Sequence, residues 1–335
     1  MVVEIPVEEF NPDSVGPGTV QPFFLHLCRS GNGESLGIPV LVAQGKRPGK
    51  TLVVFAGVHG DELEGVQALH EVFLQLDAGA LSGRVIAVTV ANLPAYRVTT
   101  RISPIDVLNL ARTFPGRKDG TITERIAYYL SETILPHADF FIDLHSSGLT
   151  YVLPTMIGYH LSDTPAGKES KEAALYFGTP VMWGHPEISP GRSLSVAISR
   201  NIPWLYVEAP SGGRVSDREL PYYINGIFNL LKHLQMIPGT VARCPPDVHL
   251  VGTGDLDRTI AVNAEGFFVP KVRVLDEVCP NQVVGIVRDL FGQTIEEVST
   301  EHGGLVGMLR AIPVVNPGDS VCLVVDRGPA VGEKV

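Results

Sequence analysis

The chain has 335 residues, 44% hydrophobic and 19% charged, with a formal net charge of -10 at pH 7. That length suits a large core and two domains, and the acidic balance leaves no basic tract to neutralise a phosphate backbone or an anionic membrane. Nucleic acid and lipid surfaces are poor candidates as partners.

The N-terminus, MVVEIPVEEFNPDSVGPG, places acids where a secretory signal needs bases and lacks a continuous apolar stretch, so no signal peptide is expected. No uninterrupted apolar run reaches the ~18 residues of a membrane span. Cys28, Cys244, Cys279 and Cys322 lie far apart without CxxC spacing, which predicts reduced thiols in a cytoplasmic protein.

Residues 1–36 read as an N-terminal β segment. From 37 to 240, short apolar runs alternate with helical patterns, predicting an α/β domain: a mixed, mostly parallel sheet with helices on both faces. Strands are expected at 38–43, 51–58, 84–92, 139–145 and 202–209, several of them apolar on both faces. DELEGVQALHEVFLQL, residues 61–76, spaces Leu63, Val66, Leu69, Val72 and Phe73 at three and four, and ELPYYINGIFNLLKHL, residues 219–234, repeats the pattern. Residues 146–200 read as a long loop region, the place for a pocket or lid. Beyond 240, periodicity gives way to short strands punctuated by Gly, Pro and Asn, predicting a small, barrel-like all-β domain over 241–335. Its end resembles biotinyl and lipoyl carrier domains, but the hairpin STEHGGLV has no lysine to carry a prosthetic group. A structural cap or a contact between copies in a homo-oligomer is expected instead.

The chemistry concentrates at two strand exits. In VVFAGVHGDELEG, a strand ending at Val58 and a helix starting near Asp61 place His59 and Glu62 at the carboxyl edge of the sheet, where open α/β folds bind ligands. A spacing of three sets the two side chains about 60° apart on a first helical turn, close enough to share one ion. Catalytic zinc takes a third protein ligand and keeps one position for water. FFIDLHSSG offers that ligand in His145, with Asp143 on the same strand face to accept the second imidazole proton. Asp61 and Glu64 read as solvated acids favoured by the helix dipole. IPWLYVEAPSGG brings Glu208 to the same edge, as a base or as half of a structural ion pair.

The stretches GVHGDELEG, RISPIDVLNLARTFPG, FIDLHSSG and LYVEAP resemble, in order, the motifs of the succinylglutamate desuccinylase and aspartoacylase family, acylase relatives of the zinc carboxypeptidases. The resemblance implies a zinc carboxypeptidase-like fold and a deacylase that hydrolyses the amide of a small N-acyl amino acid or amine. It implies one zinc ion per chain, His59, Glu62 and His145 as ligands, Glu208 as the catalytic carboxylate and Arg101 as the oxyanion partner. Arg112 and Asn109 become the expected substrate contacts. One departure stands out: where the family pairs an asparagine with the arginine before FPG, this chain has Ala111. Arg192 and Arg214 are further candidates for anchoring a carboxylate, and His185 is the remaining histidine placed near a pocket. A peptide-cleaving carboxypeptidase and a zinc-binding scaffold without turnover are the competing readings.

Overall fold

The computed structural model describes residues 1–29, 33–210, 212–254 and 259–331. Strand β1 (Val3–Pro6) pairs in parallel with β2 (Thr19–Arg29), which returns antiparallel into β3 (Ser35–Gln44). Then come β4 (Arg47–Ala56), helix α1 (Glu64–Gln75), β5 (Ser82–Val88), α2 (Leu93–Val98), α3 (Ile122–Tyr129) and β6 (Phe140–Leu144). The order continues with β7 (Tyr151–Val152), β8 (Met156–His160), α4 (Pro165–Phe177), β9 (Val181–His185), α5 (Ser193–Ser199), β10 (Trp204–Glu208) and α6 (Leu220–His233).

The central strands run β5-β4-β6-β10-β8-β9. β4 is parallel to β5 and β6, β6 to β10, and β8 to β9, while β8 meets β10 antiparallel. The unbroken apolar run of β4 follows from burial on both faces. Val53 and Phe55 enter one core with α3 and α5, whereas Leu52, Val54 and Ala56 enter another with α1 and α6. Each Val, Leu or Phe among them taken fully out of water contributes about 1.5–3 kcal/mol. Helices therefore cover both faces, as the patterning predicted.

Two boundaries move, and each shift matters to the site. The strand expected to reach Asn92 ends at Val88, because Asn92 turns to cap α2: its Oδ1 accepts the Ala95 N–H and its Nδ2 donates to the Val58 carbonyl. The helix expected at Asp61 starts at Glu64. His59–Glu62 is a turn, not a helical turn, and Gly60 explains why: a Cβ there would lie 2.1 Å from the Ala95 carbonyl carbon.

Residues 146–200 are not a loop. They hold β7, β8, α4, β9 and α5. The strands are only two to five residues long, and β8 and β9 each contain a glycine, which hides their period. α4 does carry a start signal in Thr164, whose side chain accepts from Gly167 N–H, with Pro165 in the first turn, and a stop signal in the left-handed Gly178.

After residue 240 the described elements are all strands: β11 (Val248–Val251), β12 (Ile260–Ala261), β13 (Gly266–Pro270), β14 (Glu277–Val278), β15 (Val283–Arg288), β16 (Thr294–Ser299), β17 (Gly304–Arg310), β18 (Val314–Val315) and β19 (Ser320–Arg327). They are not set apart from the main sheet, since β11 pairs in parallel with β9 and carries it onward through β19 and β17. β13, β15, β16 and β18 form a second, four-stranded sheet over its own core. None of the four cysteines is paired. Among the described residues no helix is long and apolar enough to cross a membrane.

Candidate active site

Parallel strands β4, β6 and β10 end side by side, and their exits deliver the functional groups. Beyond β4, Gly57 adopts φ +63°, a left-handed bend open to glycine, and the turn that follows buries His59 and Glu62, each only 2% exposed. His145 follows β6 directly and Glu208 closes β10.

His59, Glu62 and His145 converge, with candidate ligand atoms all within 4.8 Å of one another. His59 Nδ1 lies 2.7 Å from Glu62 Oε1 and His145 Nδ1 lies 2.8 Å from Glu62 Oε2. Their outer nitrogens are held from behind. His145 Nε2 is 3.3 Å from Asp143 Oδ2, and His59 Nε2 is 3.1 Å from Asn109 Oδ1. Asn109 Oδ1 also accepts the Ala111 N–H at 2.9 Å, which identifies the oxygen end of the amide and places the imidazole proton on Nε2 of His59. Its Nδ1 thus turns a lone pair towards the carboxylate, buried and without a hydrogen bond.

Two nitrogen lone pairs and a carboxylate aimed at one point need positive charge between them. The titration of the three groups reflects this. Burial pushes His145 down, but Asp143 and then Glu62 outweigh it and raise its pKa well above the usual range. Burial also opposes the Glu62 carboxylate, yet His59 and His145 hold it well below its ordinary value. His59 is lowered, by burial first and then by Arg101. A divalent cation would replace the shared proton, and the set of two imidazoles and one carboxylate suits zinc.

Glu208 lines the cavity beside this cluster. Its Oε2 is buried without a hydrogen-bond partner. Burial first, then Glu62, pushes the carboxyl up to about 8, while His145 and Arg101 pull it back. Arg101 also lines the cavity, and its Nη1 donates to Glu62 Oε1 at 2.8 Å. Arg112, Ala111 and Arg192 form another part of the wall. Asn109, the other expected substrate contact, braces His59 and caps the 3-10 turn Leu110–Arg112. Arg214 is exposed and does not line the cavity.

Two sequence expectations fail outright. Asp61 and Glu64 are not solvated: they are 3% and 0% exposed. With the helix starting later, both acids fall inside the junction. Asp61 Oδ2 accepts the Leu149 N–H at 3.0 Å, and its carbonyl accepts the Gly213 N–H at 2.6 Å. Asp61 therefore ties down the loops that follow His145 and Glu208. Sequence reasoning also missed Trp183, Tyr206 and Ser193, all on the cavity wall. Ser193 Oγ donates to Asp143 Oδ2, steadying the group behind His145. Tyr206 was legible in principle, since it shares a strand face with Glu208 two residues on.

A mixed α/β sheet brings a His-Glu-His cluster that could hold a metal ion to its carboxyl edge, the edge where open α/β folds place their sites. The family is fixed by comparison: residues 48–234 match the succinylglutamate desuccinylase/aspartoacylase catalytic domain, and the chain belongs to that family. It is 31% identical over 322 residues to the N-alpha-acetyl-L-2,4-diaminobutyric acid deacetylase of Halomonas elongata, covering 93% of each chain. The product-bound ectoine utilization protein EutE (DoeB) of Ruegeria pomeroyi superposes with a TM-score of 0.85 at 30% identity, covering 93% of this chain and 98% of that one. A succinylglutamate desuccinylase/aspartoacylase from Rhodobacter sphaeroides gives 0.84 at 27% identity, covering 96% and 98%.

Proposed function

We propose that this protein is a zinc-dependent deacylase that hydrolyses the amide bond of a small N-acyl amino acid. The observation that carries the reading is the convergence of His59 Nδ1, His145 Nδ1 and both Glu62 oxygens, with Asn109 and Asp143 fixing the imidazoles from behind. Bound there, zinc would polarise the amide carbonyl and make water acidic near neutral pH.

The chain's own groups do the rest. Glu208, raised by burial into the range where it can both take and give a proton, accepts one from the attacking water and passes it to the leaving amine. Arg101, hydrogen-bonded directly to Glu62 of the cluster, offers its remaining N–H groups to the carbonyl oxygen as negative charge develops there. Arg112 and Arg192, which line the same cavity as Ala111, supply guanidinium donors for a substrate carboxylate. The β-rich region after residue 240 narrows the entrance, since Gly254 takes part in the cavity wall. That favours a small acyl amino acid over a peptide, as does the deacetylase named above.

The test is hydrolysis by zinc-loaded protein of N-acetyl and N-succinyl amino acids and of peptides, followed by amine release. Turnover of an N-acyl amino acid, lost on chelation and restored by zinc, is expected. Cleavage of peptides alone would overturn the reading in favour of a carboxypeptidase.

A further inference from the structure

A hydrogen-bonded chain crosses three adjacent strands on the side of the cavity away from His59. Tyr206 stands in the middle of β10, and strand alternation puts its side chain on the face that also bears Glu208. The neighbouring strand, β8, places Gly158 opposite it. A Cβ on Gly158 would lie 1.8 Å from the Tyr206 ring, so only the bare backbone lets the ring lie across β8 and its hydroxyl reach β9. There the hydroxyl meets His185 Nε2 at 2.8 Å.

The direction of that hydrogen bond is settled one step further on. His185 Nδ1 is 3.1 Å from the Thr253 carbonyl oxygen, which can only accept, so Nδ1 carries the proton and Nε2 is bare. His185 is 2% exposed, and burial holds its pKa down to about 4, so it stays neutral. Tyr206 must therefore donate its single proton to Nε2. Its burial, with Glu208 nearby, keeps that phenol protonated. The hydroxyl has no second proton to offer and presents only lone pairs to the cavity, which both residues line. His185 is its only hydrogen-bond partner among the described residues.

We propose that Tyr206 is a specificity-determining residue that acts as a fixed hydrogen-bond acceptor and selects substrates carrying an N–H or O–H donor at the end remote from the scissile amide. The remoteness follows from the sheet: β10 and β8 lie between His145's strand and His185's, a span of three strand spacings of about 4.8 Å each, and the hydroxyl meets His185 at the far side of it. The substrate class is thus an N-acyl amino acid with a donor-tipped side chain. This rests on the deacylase reading, which places the scissile bond at the cluster.

The experiment uses three ligands of one shape: N-acetyl derivatives of L-2,4-diaminobutyrate, homoserine and norvaline, whose side chains end in ammonium, hydroxyl and methyl. Their affinities are measured by calorimetry on zinc-loaded Glu208→Gln protein, so the ratio is read without turnover. The ammonium or hydroxyl ligand is expected to bind at least about tenfold tighter than the norvaline ligand, and Tyr206→Phe to abolish that preference. His185→Leu frees the tyrosine proton to point into the cavity, so it should also collapse the ratio, whereas His185→Gln, which keeps an acceptor, should restore most of it. Equal binding of all three ligands, or a ratio unmoved by Tyr206→Phe, would overturn the inference. A chain that hydrolyses no N-acyl amino acid but still shows the Tyr206-dependent ratio would refute the deacylase reading alone, and absence of binding by every ligand would refute both.

Discussion

Two histidines of one site titrate in opposite directions. His145, at the β6 exit, has its pKa raised well above normal because Asp143 and Glu62 outweigh burial. His185, on β9, is pushed down to about 4 because burial is opposed only by backbone carbonyls, with Arg192 adding to the fall. The difference lies in company rather than depth. Carboxylates on both sides make His145 a place for positive charge, while a carbonyl and a phenol make His185 a neutral relay. In the proposed reading one end of the cavity holds a cation and the other presents an oriented dipole.

Glu208 joins the two ends, and removing its charge gives the largest expected effect. Glu208→Gln should lower kcat by roughly 10²–10⁴-fold while leaving zinc content unchanged, because the carboxylate is no ligand in this account. Steady-state kinetics paired with metal analysis checks this. Loss of zinc in that variant would move Glu208 into the cation-binding end and erase the contrast.

The contrast also has a pH signature at the neutral end. An unfolded histidine takes a proton near 6.5 while folded His185 resists until about 4. As pH falls from 6.5 towards 4 the unfolded chain therefore binds the extra proton, and stability present at pH 7 is lost. His185→Gln should lose less over that interval than the wild type, by about 3 kcal/mol, in denaturant melts at pH 7 and pH 4. Parallel losses in the two proteins would show that His185 titrates normally.

The cation-binding end was the legible one. His59, Glu62 and His145 stand at or just beyond the ends of apolar runs, so the strand-exit argument brings all three to one edge, and Asp143 follows from alternation. The turn around Gly60 was not legible, because the contact that requires it comes from Ala95, thirty-odd residues away in sequence. That single shift buries Asp61 and Glu64, which any reading of a helix start would leave in water. The neutral end depends on partners still more remote. Tyr206 needs a bare Gly158 on the next strand and a carbonyl at Thr253, beyond the catalytic strands, and nothing local in LYVEAP or MWGHPE announces either. The strands around 156 and 181 were missed for a related reason: at five residues each, they are shorter than the window in which a period shows.

The central claim is that one zinc ion is held jointly by His59, Glu62 and His145. Elemental analysis of zinc-exposed, desalted protein tests it directly. Wild type and His185→Gln should each retain about one zinc per chain, and His145→Ala should lose nearly all of it while remaining folded. A full equivalent of zinc in His145→Ala would contradict the account.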